Sequence, residues 1–139
     1  MRSNYMININ DLSVGDWVFA KVLRTNADAP NDNTPVVIDG ISDRRYAHDV
    51  TVVFNQGYYT TLRSGITPIP ITPEMLEQNG CTLAWHYRGA LKYECEAFSA
   101  TQERDRWTIA CNDIVATIQY VHQLQHLLRI AGATKEINL

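Results

Sequence analysis

Leu91-Lys92-Tyr93-Glu94-Cys95-Glu96-Ala97 is the stretch that decides the fold. Leu91, Tyr93, Cys95 and Ala97 alternate with Lys92, Glu94 and Glu96. This strict period of two turns one set of side chains toward a core and the other toward water, as in a half-buried strand. Trp107, Ile109 and Cys111 repeat the pattern after the polar residues 99–106. The two runs are therefore expected to pair across 99–106 as a loop. Further on, Asn112-Asp113 reads as a two-residue hairpin turn. Ile114, Ala116, Ile118 and Tyr120 alternate like a strand, although Ile114, Ile118, Val121 and Leu128 also fit a helical face. β-Branched crowding between Ile114 and Ile118 favours the strand. Over 120–131 the spacing predicts a helix, with Val121, Leu124, Leu127, Leu128 and Ala131 on one face and Gly132 at C′. Ile137 and Leu139 follow and are expected to dock or to form a last short strand.

Working toward the N-terminus, residues 82–87 read as a strand turned by Arg88-Gly89. Thr72-Pro73-Glu74 starts a two-turn helix, with Thr as N-cap and Pro at N1, and Asn79-Gly80 ends it. The alternation of apolar residues and prolines over 66–71 predicts an extended edge or polyproline segment, because proline cannot donate to a central ladder. Residues 50–54 and 58–62, joined by Asn55-Gln56-Gly57, form a hairpin. Val36 to Ile41 is a short apolar run, and the irregular polar residues 25–35 make the longest loop. Gly15-Asp16 marks a tight turn feeding a strand over 17–23. This Leu12-x-Val14-Gly15-Asp16-Trp17-Val18 opening is common in small barrels of SH3-like type. The expected fold is α+β and mainly β: antiparallel strands with a small SH3-like barrel portion, one short helix and a C-terminal amphipathic helix. Residues 1–139 are read as one domain, without repeats or an internal linker.

The composition narrows the function. The charged fraction is 19% and the net charge −3. A charge density below the usual value of about 25% leaves uncharged surface compatible with self-association. Duplex binding needs a basic face that displaces counterions from phosphates, and none is visible. The three cysteines, Cys81, Cys95 and Cys111, lack CxxC spacing. They read as reduced thiols in a cytoplasm, with Cys95 and Cys111 as small core residues. Residues 1–10 hold no apolar run of signal-peptide length, and no window reaches the roughly 20 apolar residues of a membrane span. A soluble, cytoplasmic protein is expected.

No residues are assigned a catalytic role. There are no paired carboxylates, no Gly-x-Ser-x-Gly elbow and no glycine-rich phosphate loop. Arg44, Arg45 and Tyr46, with His48, form the one local cationic cluster. Arginine suits bidentate phosphate recognition and tyrosine can stack on a base, so this is either half of a nucleotide-sized pocket or a solvated turn. Tyr58, Tyr59, Trp85, Tyr87 and Tyr93 make an aromatic-rich middle, and Tyr58 and Trp85 are the candidates to join such a pocket. They read equally as the core and rim of a β-sheet. His122 and His126 stand at i, i+4 on the last helix. The residue after His122 is Gln123 rather than glutamate, and no third ligand is apparent, so no metal and no cofactor are expected. His122, Gln125, His126 and Arg129 are read instead as a partly solvated polar face covering a sheet edge or a partner subunit. The leading expectation is a non-enzymatic interaction protein that forms a homo-oligomer. The alternative is a protein that binds or sequesters a nucleotide or phosphorylated ligand.

Two stretches carry a resemblance. Ile-Thr-Pro-Ile-Pro-Ile-Thr-Pro-Glu-Met-Leu-Glu-Gln-Asn-Gly over 66–80 and Tyr-Val-His-Gln-Leu-Gln-His-Leu-Leu-Arg over 120–129 resemble small proteins of Bacteroidetes genomes, prophages and mobile elements. These similarly open with a Gly-Asp-Trp-Val-like segment. The likeness covers the start, middle and end of the chain but about a quarter of its residues. It implies a cytoplasmic protein, phage- or mobile-element-borne, and carries no mechanism; by analogy of context, small phage accessory proteins often bind a host protein or a nucleotide signal rather than transform a substrate.

Overall fold

The computed structural model describes residues 12–23, 28–42 and 49–139. The chain divides into two compact units, Met1–Ile69 and Pro70–Leu139.

The first unit is a closed antiparallel barrel of four strands: β1 (Trp17–Val22), β2 (Pro35–Ile41), β3 (Asp49–Phe54) and β4 (Gly57–Pro68). Alternation places Val18, Val36, Ile38, Val50 and Val52 in its interior, all essentially solvent-free. The Gly-Asp turn forms as expected. Gly15 takes φ +97° and donates to the Ile38 carbonyl at 2.8 Å, while the buried Asp16 carboxylate accepts the Ser13 N–H at 2.8 Å. The β3–β4 hairpin also forms, on Asn55 and Gln56 with φ of 49° and 67°, the left-handed pair of a type I′ turn.

Closure depends on the length of β4, which corrects the reading of 66–71. Residues 66–68 are not an extended edge; they continue β4 and pair with β1, Ala20 opposite Ile66 and Val18 opposite Pro68. The proline is tolerated because it is the last residue of the strand. β4 pairs with β3 through its first half and with β1 through its second. At the changeover the Thr61 hydroxyl donates to the Lys21 carbonyl at 2.6 Å. A Cβ on Gly65 would lie 2.7 Å from that hydroxyl oxygen. The bend thus needs a residue without a side chain there.

The second unit is a five-stranded antiparallel meander in the order β5 (Thr82–Tyr87), β6 (Ala90–Glu94), β7 (Ser99–Glu103), β8 (Arg106–Cys111) and β9 (Ile114–Ile118), with α1 (Pro73–Gln78) before it and α2 (Val121–Ile130) after it. Trp107, Ile109, Cys111, Leu124 and Leu128 are buried, and α2 packs on β8 and β9. The Trp107 indole N–H donates to the Ile71 carbonyl at 3.1 Å, which removes the cost of burying that polar group. The strand reading of 114–118 holds, with Asn112 at φ 54° in the turn before it.

Both helices start and stop where the sequence signals stand. Thr72 Oγ1 accepts the Met75 N–H at 3.2 Å. The Gln123 side-chain oxygen accepts the N–H groups of Gln119 and Tyr120 at 3.0 and 3.1 Å. Each helix ends in a Schellman motif: Cys81 N–H to Leu76 O with Gly80 in the left-handed region, and Ala133 N–H to Leu128 O with Gly132 likewise. The chain end docks rather than forming a strand. Ile137 is buried, and Asn79 exchanges two hydrogen bonds of 2.8 and 2.9 Å with the backbone of Asn138.

Two expectations are corrected here. Residues 99–106 are not a loop; they hold β7 and its turn, so 91–97 does not pair with 107–111 but with β7. The strand was masked because its outer face is solvated and carries Ser99, Thr101 and Glu103. Its inner face offers only Ala100, fully buried, and the polar Gln102. The cysteines are not all reduced: Cys81 and Cys95 are joined in a disulfide, and Cys111 is the buried free thiol. β6 ends at Glu94, so half-buried Cys95 lies past the strand rather than inside the core. The Thr82–Glu94 pair is the last of the β5–β6 ladder, and the disulfide bridges the next position beyond it.

Candidate functional site

The predicted site residues fall in several places. Arg44, Arg45, Tyr46 and His48 lie outside the described residues. Tyr58 projects from β4 of the first unit and is 69% exposed. Trp85 stands on β5 of the second unit. The four helix residues are not one solvated face. His122 is 1% exposed, Gln125 and His126 are half-buried, and Arg129 is exposed. The helical wheel put His122 about 100° from Val121 and hence outside the buried stripe. Its ring stacks on Tyr120 (centroids 6.2 Å apart) and meets the edge of His126 at 5.7 Å. Aromatic pairs at these separations sit within the usual contact range. Among the described residues no group of three or more His, Cys, Asp or Glu is placed to hold a metal ion.

The first unit has an open cleft of about 720 Å³ beside the β3–β4 turn, lined by Asp28, Asn31, Phe54, Asn55, Gln56 and Tyr59 among others. Its one described charged lining residue is Asp28, whose carbonyl accepts the Tyr59 hydroxyl at 3.0 Å. That is amide and aromatic chemistry with an acid, the opposite of an anion cradle.

The second unit presents a different surface. Among the described residues β5 is an edge strand, paired on one side only, with β6. All six of its residues, Thr-Leu-Ala-Trp-His-Tyr, are exposed, including Leu83 at 51%, Trp85 at 44% and Tyr87 at 64%. Thr82, Trp85 and Tyr87 share the outer face with Glu94, Lys92 and Ala90. Leu83 and His86 share the inner face with Tyr93 and Leu91, and Ala84 is the extra residue of a bulge. Arg88 follows with φ 48°, then Gly89 with φ 83°, a type I′ turn. The Arg88 guanidinium lies over the Tyr87 ring at 5.2 Å. The strand contains no Asp, Glu, Lys, Arg or Pro. Natural edges usually carry such residues because a free row of N–H and C=O groups pairs readily with another strand. The sequence shows a strand at 82–87, and its lack of charge was visible. Its edge position and two-sided exposure depend on strand order, which the sequence does not display.

Behind β5 the sheet is firmly tied. The hydroxyl of the largely buried Tyr93 donates, in a part-buried pair, to Glu77 Oε2 at 2.8 Å. That hydrogen bond, then burial, then the carboxylate charges of Glu77 and Glu74 raise the Tyr93 pKa above its ordinary value of 10.0. The phenol therefore loses its proton more easily unfolded than folded. Its stabilisation is complete below about pH 10 and is lost as the pH rises through the folded pKa. Urea midpoints measured from neutral to strongly alkaline pH should fall above that point in the wild type. The fall should be shallower in Tyr93→Phe; identical profiles would remove Tyr93 as its source.

Compared with protein families, curated proteins and solved structures, the chain matches none. No helix among the described residues is long and apolar enough to cross a membrane.

Proposed function

We propose that this chain is a non-enzymatic binding protein that takes an extended segment of a protein partner onto the free edge of β5. The observation that carries the reading is the uncharged, two-sidedly exposed edge strand with Leu83, Trp85 and Tyr87 on it. In strand addition the backbone edge supplies hydrogen bonds and the alternating side chains supply selectivity. Exposed aromatics supply contact area at low entropic cost, and Arg88 is already ordered against Tyr87. The resemblance of 66–80 and 120–129 to proteins of prophages and mobile elements supports an accessory role toward a host protein. The nucleotide alternative rests on Arg44, Arg45 and Tyr46, outside the described residues, and gains nothing from the acid- and amide-lined cleft of the first unit.

The test compares affinity capture from a Bacteroidetes lysate by the wild type and by Trp85→Lys/Tyr87→Lys. Both positions are exposed, so the variant should keep the wild-type circular dichroism and melting curve. A partner held by the wild type and lost from the variant is the expected result. Capture that the double substitution leaves unchanged sinks the β5 reading.

A further inference from the structure

Resting on the same edge as the proposed function, we infer that β5 pairs antiparallel with β5 of a second copy of this chain about a twofold axis. An antiparallel ribbon of one strand with itself is isologous, the commonest way a chain closes on its own copy. The register that overlaps all six residues keeps on one face every opposed pair whose faces the β5–β6 ladder fixes. Thr82 stands opposite Tyr87 of the second copy, Leu83 opposite His86, and Ala84 opposite Trp85, each repeated by symmetry. Outer-face residues meet outer-face residues and inner meet inner, as the β5–β6 pairing fixes them. Large meets small: Tyr87 lies over Thr82, and Trp85 over Ala84 at the bulge.

Charge agrees with this arrangement. β5 itself is neutral, so two copies meet without like-charge repulsion along the strand. At its C-terminal end stands Arg88, held over Tyr87. At its N-terminal end stand two acids, Glu94 across from Thr82 on the outer face and Glu77 bonded to Tyr93, which itself lies opposite Leu83 on the inner face. The antiparallel arrangement brings Arg88 of each copy to the acidic end of the other. Glu94 already pairs with Lys92 at 3.3 Å, so Arg88 joins an exposed network rather than a lone carboxylate. The contact is small. Six residues a side bury less than the roughly 1,200 Å² at which standard interfaces begin. The dimer is therefore a weak, concentration-dependent one that a better strand partner displaces.

Sedimentation equilibrium of the full chain from low to high micromolar concentration reads this directly. The wild type should pass from monomer to dimer and stop there. Trp85→Lys should shift the midpoint at least tenfold higher in concentration with an unchanged melting curve. Amide exchange at 82–87 should slow as wild-type concentration rises and should stay fast in the variant, which reports the edge itself even if the substitution perturbs the strand. A wild type that stays monomeric overturns the dimer, as does a dimer indifferent to Trp85→Lys whose 82–87 amides exchange at one rate at all concentrations. Open-ended growth overturns it too, since that would mean β5 meeting a different surface. A monomer that still captures a partner through β5 refutes self-pairing alone. A monomer whose capture of a partner does not depend on β5 refutes the proposed function as well.

Discussion

Leu124→Asp is expected to abolish cooperative unfolding of the native structure, the largest single-residue effect the fold offers. Leu124 is fully buried on α2, between Val121 and Leu128 at 0% and 2% exposure, and the helix lies on β8 and β9. Removing a large core side chain costs about 2–5 kcal/mol, and an unpaired carboxylate in the same place adds its desolvation. Against a total stability of about 5–15 kcal/mol for a domain, the sum leaves little or nothing. Leu124→Met keeps the volume and should cost under about 1.5 kcal/mol. Arg129→Ala, on the exposed side of the same helix, should move stability by no more than about 0.5 kcal/mol. Thermal melts followed by circular dichroism separate the three. A wild-type melt for Leu124→Asp would mean that α2 is not docked.

The same helix shows how far a sequence of this kind can be read. Its ends were legible because the signals are local: Gly132 takes φ 79°, and Gln123 reaches back to the first turn. Its buried stripe was legible because four leucine and valine side chains keep one phase. The burial of His122 was not, because a helical wheel describes a helix in isolation and not what packs around it in the folded unit. The sheets divide in the same way. Turns could be read at Asn55-Gln56-Gly57, Arg88-Gly89 and Asn112-Asp113, because asparagine or glycine stands at a positive φ in each: Asn55 at 49°, Gly89 at 83° and Asn112 at 54°. β7 could not, since its inner face holds just one buried residue, Ala100, and periodicity needs apolar contrast to be seen. The continuation of β4 through Pro68 was hidden by proline, whose prohibition applies within a strand and not at its last position. The candidate site is the extreme case. That 82–87 is an apolar-aromatic strand is written in its residues, but that it stands at an edge with both faces open is a property of the whole sheet.

Removing the Cys81–Cys95 disulfide is expected to cost about 3 kcal/mol. The two cysteines stand 14 positions apart in sequence, and closing a loop of about 15 residues restricts the unfolded chain by that amount. The bond has a local consequence as well. β5 is held by one neighbouring strand and buries none of its own residues, so its register depends on the β6 ladder, the Arg88-Gly89 turn and the disulfide just beyond the Thr82–Glu94 pair. Without it the open end of the hairpin keeps the hydrogen bonds from Cys81 N–H to Leu76 O and from Cys95 N–H to Phe98 O, both 2.9 Å, and the Tyr93–Glu77 bond beside them. Amide exchange in 82–87 should therefore accelerate on reduction more than exchange in β8, which has a strand on each side. Two measurements check this. Thiol titration of the denatured, unreduced protein should find one reactive group per chain, Cys111, which is free and buried in the native fold. Urea midpoints should fall on adding a reductant to the wild type and stay unchanged in Cys81→Ala/Cys95→Ala, which should already melt at the reduced value. Three titratable thiols in protein purified in air, or a wild-type midpoint indifferent to reductant, would restore the reduced-thiol reading of the sequence.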